Sequence, residues 1–326
     1  VYKRQEESGA GFELKWKEPI LKSSHRNFRP VDVQVGPDGA IYVVDWYNPI
    51  TCHQDDAYRH PERDKAHGRI WRVSLKKPKT EQSIQPPNLL EASVPELLDS
   101  LTSPEYWTRY QAKRALTTRD QHDIIEPLKA WAAKLDSTDQ HYAYHLFQAL
   151  SVCATNETVD TEILAKTLTC SDPKARAFAA RMVGRWHDRL ADPLSLLRER
   201  LADDHPRVRL EAVLACSQIP SAKALDEAAA VLDWPADRWV DYAFKQTIHR
   251  LKPYWLPEFQ RGGVQLADTR RLTAILNEIG GDDVIDTLRG IVDGGDGGDA
   301  GDAMDVESRA SAIAAIVAVG NPADLG

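Results

Sequence analysis

The sequence predicts a mainly α-helical protein in which a small antiparallel β region precedes a long array of helices. Two observations support this prediction. From residue 93 onward, helix starts recur at intervals of about 31 to 34 residues, the length of a two-helix solenoid repeat. Before residue 76, short runs alternate apolar and polar residues, as half-buried strands do. A chain of 326 residues has room for about two such domains.

Composition narrows the classes of function. Hydrophobic residues make up 42% of the chain and charged residues 28%, as in a globular protein, and the formal net charge is −8. This acidic balance argues against nucleic-acid binding, which needs a basic face. No apolar run reaches about 18 residues, so we expect no membrane segment. The opening residues do not form an export signal, and we expect the chain to be a fragment of a longer protein.

Strand patterns fill most of residues 1–75. Residues 1–11 are polar and are expected to form an entry loop, whereas residues 12–16 alternate as a strand does. Residues 31–35 alternate again, and a Gly-Pro-Asp-Gly turn leads into a returning strand at residues 40–46. A long loop, residues 49–68, separates these from a strand at residues 69–73. This order of strand, turn, strand, loop and strand is that of one β-propeller blade.

The pattern becomes helical after a linker at residues 76–92. Ser93, followed by Pro95 and Glu96, is a helix N-terminal signal. Helices rich in arginine and alanine begin near residues 105, 173, 206, 237, 268 and 307, a further helix begins near residue 139, and shorter amphipathic helices lie between them. The sequence therefore predicts a HEAT-like α-solenoid over residues 93–326. An acidic, glycine-rich insertion at residues 293–305 interrupts it and is expected to be solvated and mobile.

Recurrent side chains of the helical part have two interpretations. One arginine recurs in each repeat, at Arg109, Arg176, Arg207, Arg238, Arg270 and Arg309. These arginines either pair with carboxylates between repeats or form a stripe for an anionic partner, and the many nearby carboxylates favour pairing. The helical tryptophans are predicted to pack in the core. Three helical cysteines, Cys153, Cys170 and Cys216, are predicted to be buried small hydrophobes.

The strand region also carries a family resemblance. Its motif consists of FRPVD, GPDG, DWYN, Arg63-Asp64 and HGRIWR, with His53 in the long loop. Over residues 12–75 it resembles the propeller end of the membrane-bound dehydrogenase-like proteins of planctomycetes, which are akin to quinoprotein sugar dehydrogenases. In that family, HEAT-like repeats and often a c-type haem domain follow the propeller. The resemblance also implies export to the periplasm or the cell surface.

Two functions follow as alternatives. The resemblance implies that the complete protein oxidises a sugar or another alcohol, with pyrroloquinoline quinone (PQQ) and calcium in the propeller. Electrons are then expected to pass to haem c in a domain outside this chain, and the fragment alone is expected to be inactive. The helical pattern instead favours a non-enzymatic module that binds a protein partner on the solenoid.

Side-chain chemistry suggests candidate site residues among the strands and the loop. Histidine can act as a general base near neutral pH, a guanidinium can bind a quinone carboxylate through two hydrogen bonds, and oxygen ligands suit calcium. The candidates for catalysis are His53 and His67. Those for cofactor binding are Arg29, Asp32, Arg63 and Arg69. Those for metal binding are Asp45 and Asn48.

Each candidate also has a structural interpretation. Arg29 can pair with Asp32, and the metal candidates can cap turns. The loop can fold back over the strands and shield its histidines. In that interpretation its charged residues form a network, and the expected pairs join Arg63 or Arg69 to Asp64, Asp45 or Asp32. The sequence alone does not decide between the functional and the structural interpretation.

Overall fold

The structure, a computed structural model, describes residues 3–50, 59–76, 85–260, 269–279 and 313. Helices account for 54% of it, which confirms the prediction of a mainly helical chain. The chain divides into two units, one of residues 1–6 and 13–158 and one of residues 7–12 and 159–326. The predicted boundaries at residues 75 and 93 lie between the strands and the helices. They do not coincide with the boundary between the two units, and they stay a prediction.

The chain begins with a β-hairpin. Strand β1 (Lys3–Ser8) pairs with strand β2 (Gly11–Trp16) in a two-stranded sheet. The entry loop predicted for residues 1–11 is therefore wrong, because β1 is polar throughout and lacks the alternation that marks a strand with a buried face. Gly9 in the turn has φ +57°, a conformation that glycine adopts without steric cost.

The first unit contains the three strands predicted for the blade. Strands β3 (Pro30–Val35), β4 (Ile41–Asp45) and β5 (Arg69–Val73) form an antiparallel sheet in that order. The register places Val43 between Val33 and Trp71, and Val43 is buried. Within the described residues these strands form small sheets, and no propeller is shown.

Four α-helices are described in the rest of the first unit. They are α1 (Val94–Asp99), α2 (Tyr106–Leu116), α3 (Gln121–Ala133) and α4 (Tyr142–Thr155). The N-terminal signal at residue 93 is confirmed, since the Ser93 N–H donates to the Glu96 carboxylate at 2.8 Å. The core contains Leu97, Leu101 and Leu116, whose side chains are fully buried.

The second unit contains the regular repeats. Among its described residues, the α-helices are α5 (Thr161–Leu168), α6 (Pro173–Arg185), α7 (Pro193–Leu201), α8 (Pro206–Cys216), α9 (Ala222–Ala228), α10 (Arg238–Gln260) and α11 (Thr269–Ile279). Aspartate side chains cap α5, α6 and α7. Helices α6 and α8 pack so closely that a Cβ atom on Gly184 would lie 2.7 Å from the Ala215 Cα atom.

The repeating arginine forms a structural ladder, with one correction to its members. The guanidinium Nη1 atoms of Arg109, Arg176 and Arg209 each donate to the carbonyl oxygens six and five residues earlier, at 2.6–3.1 Å. These bonds satisfy carbonyl groups in the turn before each helix. The ladder residue of α8 is therefore Arg209, whereas Arg207 faces a different set of partners. Arg176 also pairs with Asp203 at 2.8 Å, as the pairing interpretation expects.

Several predictions lie outside the described residues. These are His53, the insertion at residues 293–305 and Arg309. Cys153, Cys170 and Cys216 are buried, as predicted, and burial raises the pKa of Cys216 to about 12. None of the helices in the described ranges combines the length and apolar character needed to cross a membrane.

Candidate functional site

Asp45 is the centre of the cluster that the predicted site residues form. Its side chain is completely buried at the end of β4. Oxygen Oδ1 accepts the Arg29 N–H at 2.8 Å and the Tyr47 N–H at 2.9 Å. Oxygen Oδ2 accepts the Trp71 indole N–H at 2.9 Å and the Arg69 Nε–H at 3.0 Å. The expected pairing of Arg69 with Asp45 is therefore confirmed.

These donors set the charge state of Asp45. Burial raises the pKa of its carboxyl group, but the hydrogen bonds from Arg29, Trp71 and Tyr47 and the Arg69 charge outweigh burial, and the pKa lies below its usual value. The same contacts hold Tyr47 in the left-handed region at φ +53°. The Arg69 guanidinium lies 4.1 Å from the centre of the Tyr47 ring. Asp45 thus fixes the backbone where β4 enters the long loop.

Asn48 and His67 belong to a second group of contacts, which ties the two ends of the loop together. Asn48 Nδ2 donates to the Asp64 carbonyl oxygen at 3.2 Å, and its Oδ1 accepts the Ile50 N–H at 3.1 Å. The Asp64 carboxylate lies 3.0 Å from His67 Nδ1. The shielding expected for His67 is wrong, because its side chain is 71% exposed on the outside of this turn.

The remaining cofactor candidates make separate contacts. Arg29 donates to the Phe28 carbonyl oxygen at 2.9 Å and does not pair with Asp32. The Asp32 carboxylate instead accepts the Val33 N–H at 2.8 Å. The Arg63 guanidinium lies 5.4 Å from the centre of the Trp46 ring. The guanidinium groups are thus spread over different partners and do not converge on one place where a carboxylate could bind.

The contacts of the metal candidates favour turn capping. The four partners of Asp45 are N–H donors, which repel a cation, and Asn48 is occupied at both side-chain atoms. In the described ranges, no three histidine, cysteine, aspartate or glutamate side chains are arranged to hold a metal ion. The catalytic, cofactor and metal roles stay predictions.

The second unit contains a binding site that the sequence analysis missed. Residues 7–12, the tip of the hairpin, lie against the N-terminal ends of α6, α8 and α10. The Ala10 N–H donates to Asp237 Oδ2 at 2.9 Å, and Arg207 Nη1 donates to the Ala10 carbonyl oxygen at 3.3 Å. Lys174 Nζ lies 2.9 Å from the Glu7 carboxylate. Three successive repeat helices therefore hold one β-turn.

We call Lys174, His205, Arg207, Asp237 and Trp239 the turn-binding edge. Its shape admits only small residues in the turn. A Cβ atom on Gly9 would lie 2.0 Å from Asp237 Oδ2, and one on Gly11 would lie 2.1 Å from Trp239 Nε1. Ala10 between them is 1% exposed, so its methyl group is enclosed. The edge is complementary to a Gly-Ala-Gly turn.

Charge adds a second level of complementarity. Asp237 caps α10, since its Oδ1 accepts the Trp239 N–H at 2.9 Å, while its Oδ2 remains available to Ala10. Burial raises the pKa of Asp237, but its backbone hydrogen bonds from Ala10, Val240 and Trp239 outweigh burial and lower it. The hydrogen bond and charge of Lys174 lower the pKa of Glu7. The edge thus binds the turn amide and an acidic side chain at separate points.

Only part of this site could be predicted from the sequence. The Gly-Ala-Gly run between two strands is a recognisable turn signal. Nothing in it indicates that the turn contacts a helix cap 227 residues away. The His-Pro start of α8 was recognised only as a helix start.

Comparisons with known proteins found two family matches within the chain. Residues 3–77 match the family described as a domain of unknown function, DUF7133, and residues 161–248 match HEAT repeats. No curated protein matches the chain. The crystal structure of an engineered protein from the Northeast Structural Genomics Consortium aligns with 69% of this chain and 96% of its own, at 18% identity and a TM-score of 0.32, which is too low to support a fold assignment. The chain therefore carries a DUF7133 domain, followed by HEAT-like repeats in its helical part.

Proposed function

We propose that the protein is a scaffold whose HEAT repeats bind short segments of other proteins. Stacked helical repeats present extended surfaces that are suited to such partners. The observation that carries the proposal is the turn held at the ends of α6, α8 and α10. It supports a preference of these helix ends for a tight turn.

The turn-binding edge defines the partner by its chemistry. The partner needs a tight Gly-small-Gly turn, because larger side chains collide with Asp237 and Trp239. It also needs an acidic residue two positions before the first glycine, where Glu7 meets Lys174. The chain's own hairpin satisfies both conditions, so a partner competes with it for the edge.

Binding in trans tests the proposal. In the Gly11→Val chain, the new side chain collides with the Trp239 indole and expels the resident turn. We expect this chain to bind a fluorescein-labelled peptide with the sequence of residues 3–16, measured by fluorescence anisotropy. The unaltered chain should bind the peptide more weakly, because its own turn is present at an effective concentration in the millimolar range.

Two altered peptides serve as matched controls. Valine at the position of Gly11 should abolish binding, and lysine at the position of Glu7 should weaken it. A Gly11→Val chain that keeps its helical circular dichroism but does not bind the unaltered peptide would contradict the proposal. In an Ala10→Asp chain, a second carboxylate lies beside Asp237 and expels the turn by charge repulsion. This chain should also bind the unaltered peptide.

As a second function, we propose that the complete protein is a quinoprotein dehydrogenase of the kind that the motif resembles. The support is the sequence motif together with the antiparallel order of β3, β4 and β5, which is that of a blade. The described contacts do not favour it, since Arg69 is committed to Asp45 and Arg29 to main-chain oxygens. If PQQ binds, we expect a carboxylate of the quinone to contact Arg29, because the described contacts of its guanidinium are to main-chain oxygens.

Quinone uptake separates the two functions. Titration of the chain with PQQ, with and without calcium, should quench tryptophan fluorescence if the strand region forms a cofactor site, because Trp46 and Trp71 lie beside the candidate arginines. An Arg29→Gln chain should then bind the quinone less tightly. If PQQ quenches the unaltered chain and the Arg29→Gln chain equally, or quenches neither, the scaffold function is favoured over the dehydrogenase.

A further inference from the structure

Helix α2 of the first unit carries cations that no carboxylate neutralises. Arg109 and Lys113 lie one turn apart on this helix, with Arg114 beside them. None of the three forms an ion pair among the described residues. In the second unit, Arg176 pairs with Asp203 at 2.8 Å, whereas Arg209, like Arg109, donates to main-chain carbonyl oxygens. An acidic protein thus carries a local cluster of positive charge on α2.

The missing carboxylate can be located by comparing repeats. In the second unit, Arg181 on α6 donates two hydrogen bonds, at 2.9 and 2.6 Å, to Glu211 on α8. Glu211 follows the N-cap of α8, His205, by six residues. The residue six positions after His141, the N-cap of α4, is Phe147. An aromatic ring therefore stands at the position of Glu211, and the α2 residue at the position of Arg181, five residues after the ladder arginine, is Arg114.

The cations of α2 lie over aromatic rings. Lys113 Nζ is 5.7 Å from the centre of the Phe147 ring, and the Arg109 guanidinium is 5.5 Å from that of Tyr144. Burial, followed by repulsion from Arg109, lowers the pKa of Lys113. The ammonium group is thus partly desolvated without a counter-charge. An anion that arrived from outside would relieve this cost.

Exposed tyrosines extend the same surface. Tyr106 and Tyr110 are stacked, with ring centres 6.0 Å apart and planes at 12°. Their exposed fractions are 54% and 46%, although both are large rings on a packed helix. The Arg114 guanidinium lies 5.9 Å from the Tyr110 ring centre. Flat rings beside unpaired cations are suited to a ligand that is both anionic and apolar.

We propose that Tyr106, Arg109, Tyr110, Lys113 and Phe147, here named the cationic aromatic face, bind an acidic peptide segment of a partner protein. A glutamate or aspartate side chain of the partner binds beside Lys113 and Arg114, whose counterpart Arg181 pairs with Glu211 in the other repeat. Proline or aromatic side chains of the segment stack on the tyrosines. A long polyanion is disfavoured, because the whole chain carries a net charge of −8. This surface is separate from the turn-binding edge.

Anisotropy with the full chain tests the proposal. The probe is a fluorescein-labelled peptide of five Glu-Pro repeats, and the neutral comparison is a peptide of five Gln-Pro repeats. We expect the acidic peptide to bind, the neutral one to bind much more weakly, and the affinity to fall as salt rises. Lys113→Gln should weaken binding roughly tenfold, the size expected for one charge-assisted hydrogen bond. Lys113→Arg should retain most of the affinity.

Matched variants separate this face from general charge effects. Lys129→Gln on α3 removes the same charge from an exposed lysine that pairs with Glu126, and it should leave binding unchanged. Tyr110→Ala should weaken binding, since it removes half of the stacked pair. Equal losses in Lys113→Gln and Lys129→Gln, or equal binding of both peptides, would overturn the proposal. Tighter binding of a heparin oligosaccharide than of the peptide would assign the face to polysaccharide instead.

Discussion

At the scale of single residues, Asp45 shows how one buried carboxylate can organise a loop. Its oxygens bind the main chain on both sides of a strained tyrosine and join β4 to β5 through Arg69 and Trp71. Four donors compensate the cost of burying the charge. Removal of the charge therefore leaves Arg69 without its partner.

We expect Asp45→Asn to destabilise the first unit by about 3 kcal/mol, the usual cost of breaking a buried ion pair. The measurement is urea denaturation followed by tryptophan fluorescence. The control is Asp38→Asn, which removes an aspartate–arginine pair from the same sheet, where Arg72 is 52% exposed, and it should cost clearly less than Asp45→Asn. Equal costs would mean that Asp45 does not have this structural role.

The residue scale also shows what the sequence could and could not predict about the site. The pairing of Arg69 with Asp45 was among the expected pairs, because opposite charges crowded between two strands must find partners. The expected Arg29–Asp32 pair does not form, and the Arg29 guanidinium donates to the Phe28 carbonyl oxygen instead. The turn-binding edge was missed because its parts are distant in the sequence.

At the scale of elements, periodicity predicted the strands and helices that bury a face. Strands β3, β4 and β5 and the helix starts near residues 173, 206 and 237 were predicted because apolar spacing and proline or cap signals coincide there. Strand β1 was missed because none of its residues has the spacing of a buried face. The ladder arginine of α8 was misplaced by two residues, since spacing alone does not distinguish Arg207 from Arg209.

Packing of α6 against α8 yields a prediction at this scale. Gly184→Val should destabilise the second unit by about 2 kcal/mol, because the new side chain collides with the backbone of Ala215. Thermal unfolding followed by circular dichroism measures this. Ala165→Val on α5 makes a similar change at an exposed helical position and should cost only about 0.5 kcal/mol. A Gly184→Val chain as stable as the control would show that the two helices are not in close contact.

At the scale of the whole molecule, carboxylates with lowered pKa values make stability depend on pH. For Asp203, burial raises the pKa, but hydrogen bonds from Arg176 and from the main chain outweigh it. The folded carboxyl group therefore binds a proton more weakly than the unfolded one. Its contribution is present above its ordinary pKa of 3.8 and is lost as the pH falls through the lower folded value.

We expect the contribution of Asp203 to stability to be constant above about pH 5 and to fall below about pH 4. Asp203→Asn should cost about 2 kcal/mol at pH 7, and the difference from the unaltered chain should shrink in acid. Asp204→Asn is the matched control, because Asp204 contacts the same arginine but is 89% exposed. A difference that stays constant between pH 7 and 3 would contradict the assigned charge state.

The central claim is that the ends of the repeat helices hold a glycine turn, and the hydrogen exchange of the Ala10 amide tests it most directly. We expect this amide to exchange slowly in the full chain, measured by NMR, because it is buried and donates to Asp237. Asp237→Asn keeps an oxygen that can cap α10, so the helix should persist while Ala10 loses protection. An Ala10 amide that exchanges as fast as an unstructured peptide in the unaltered chain would contradict the account.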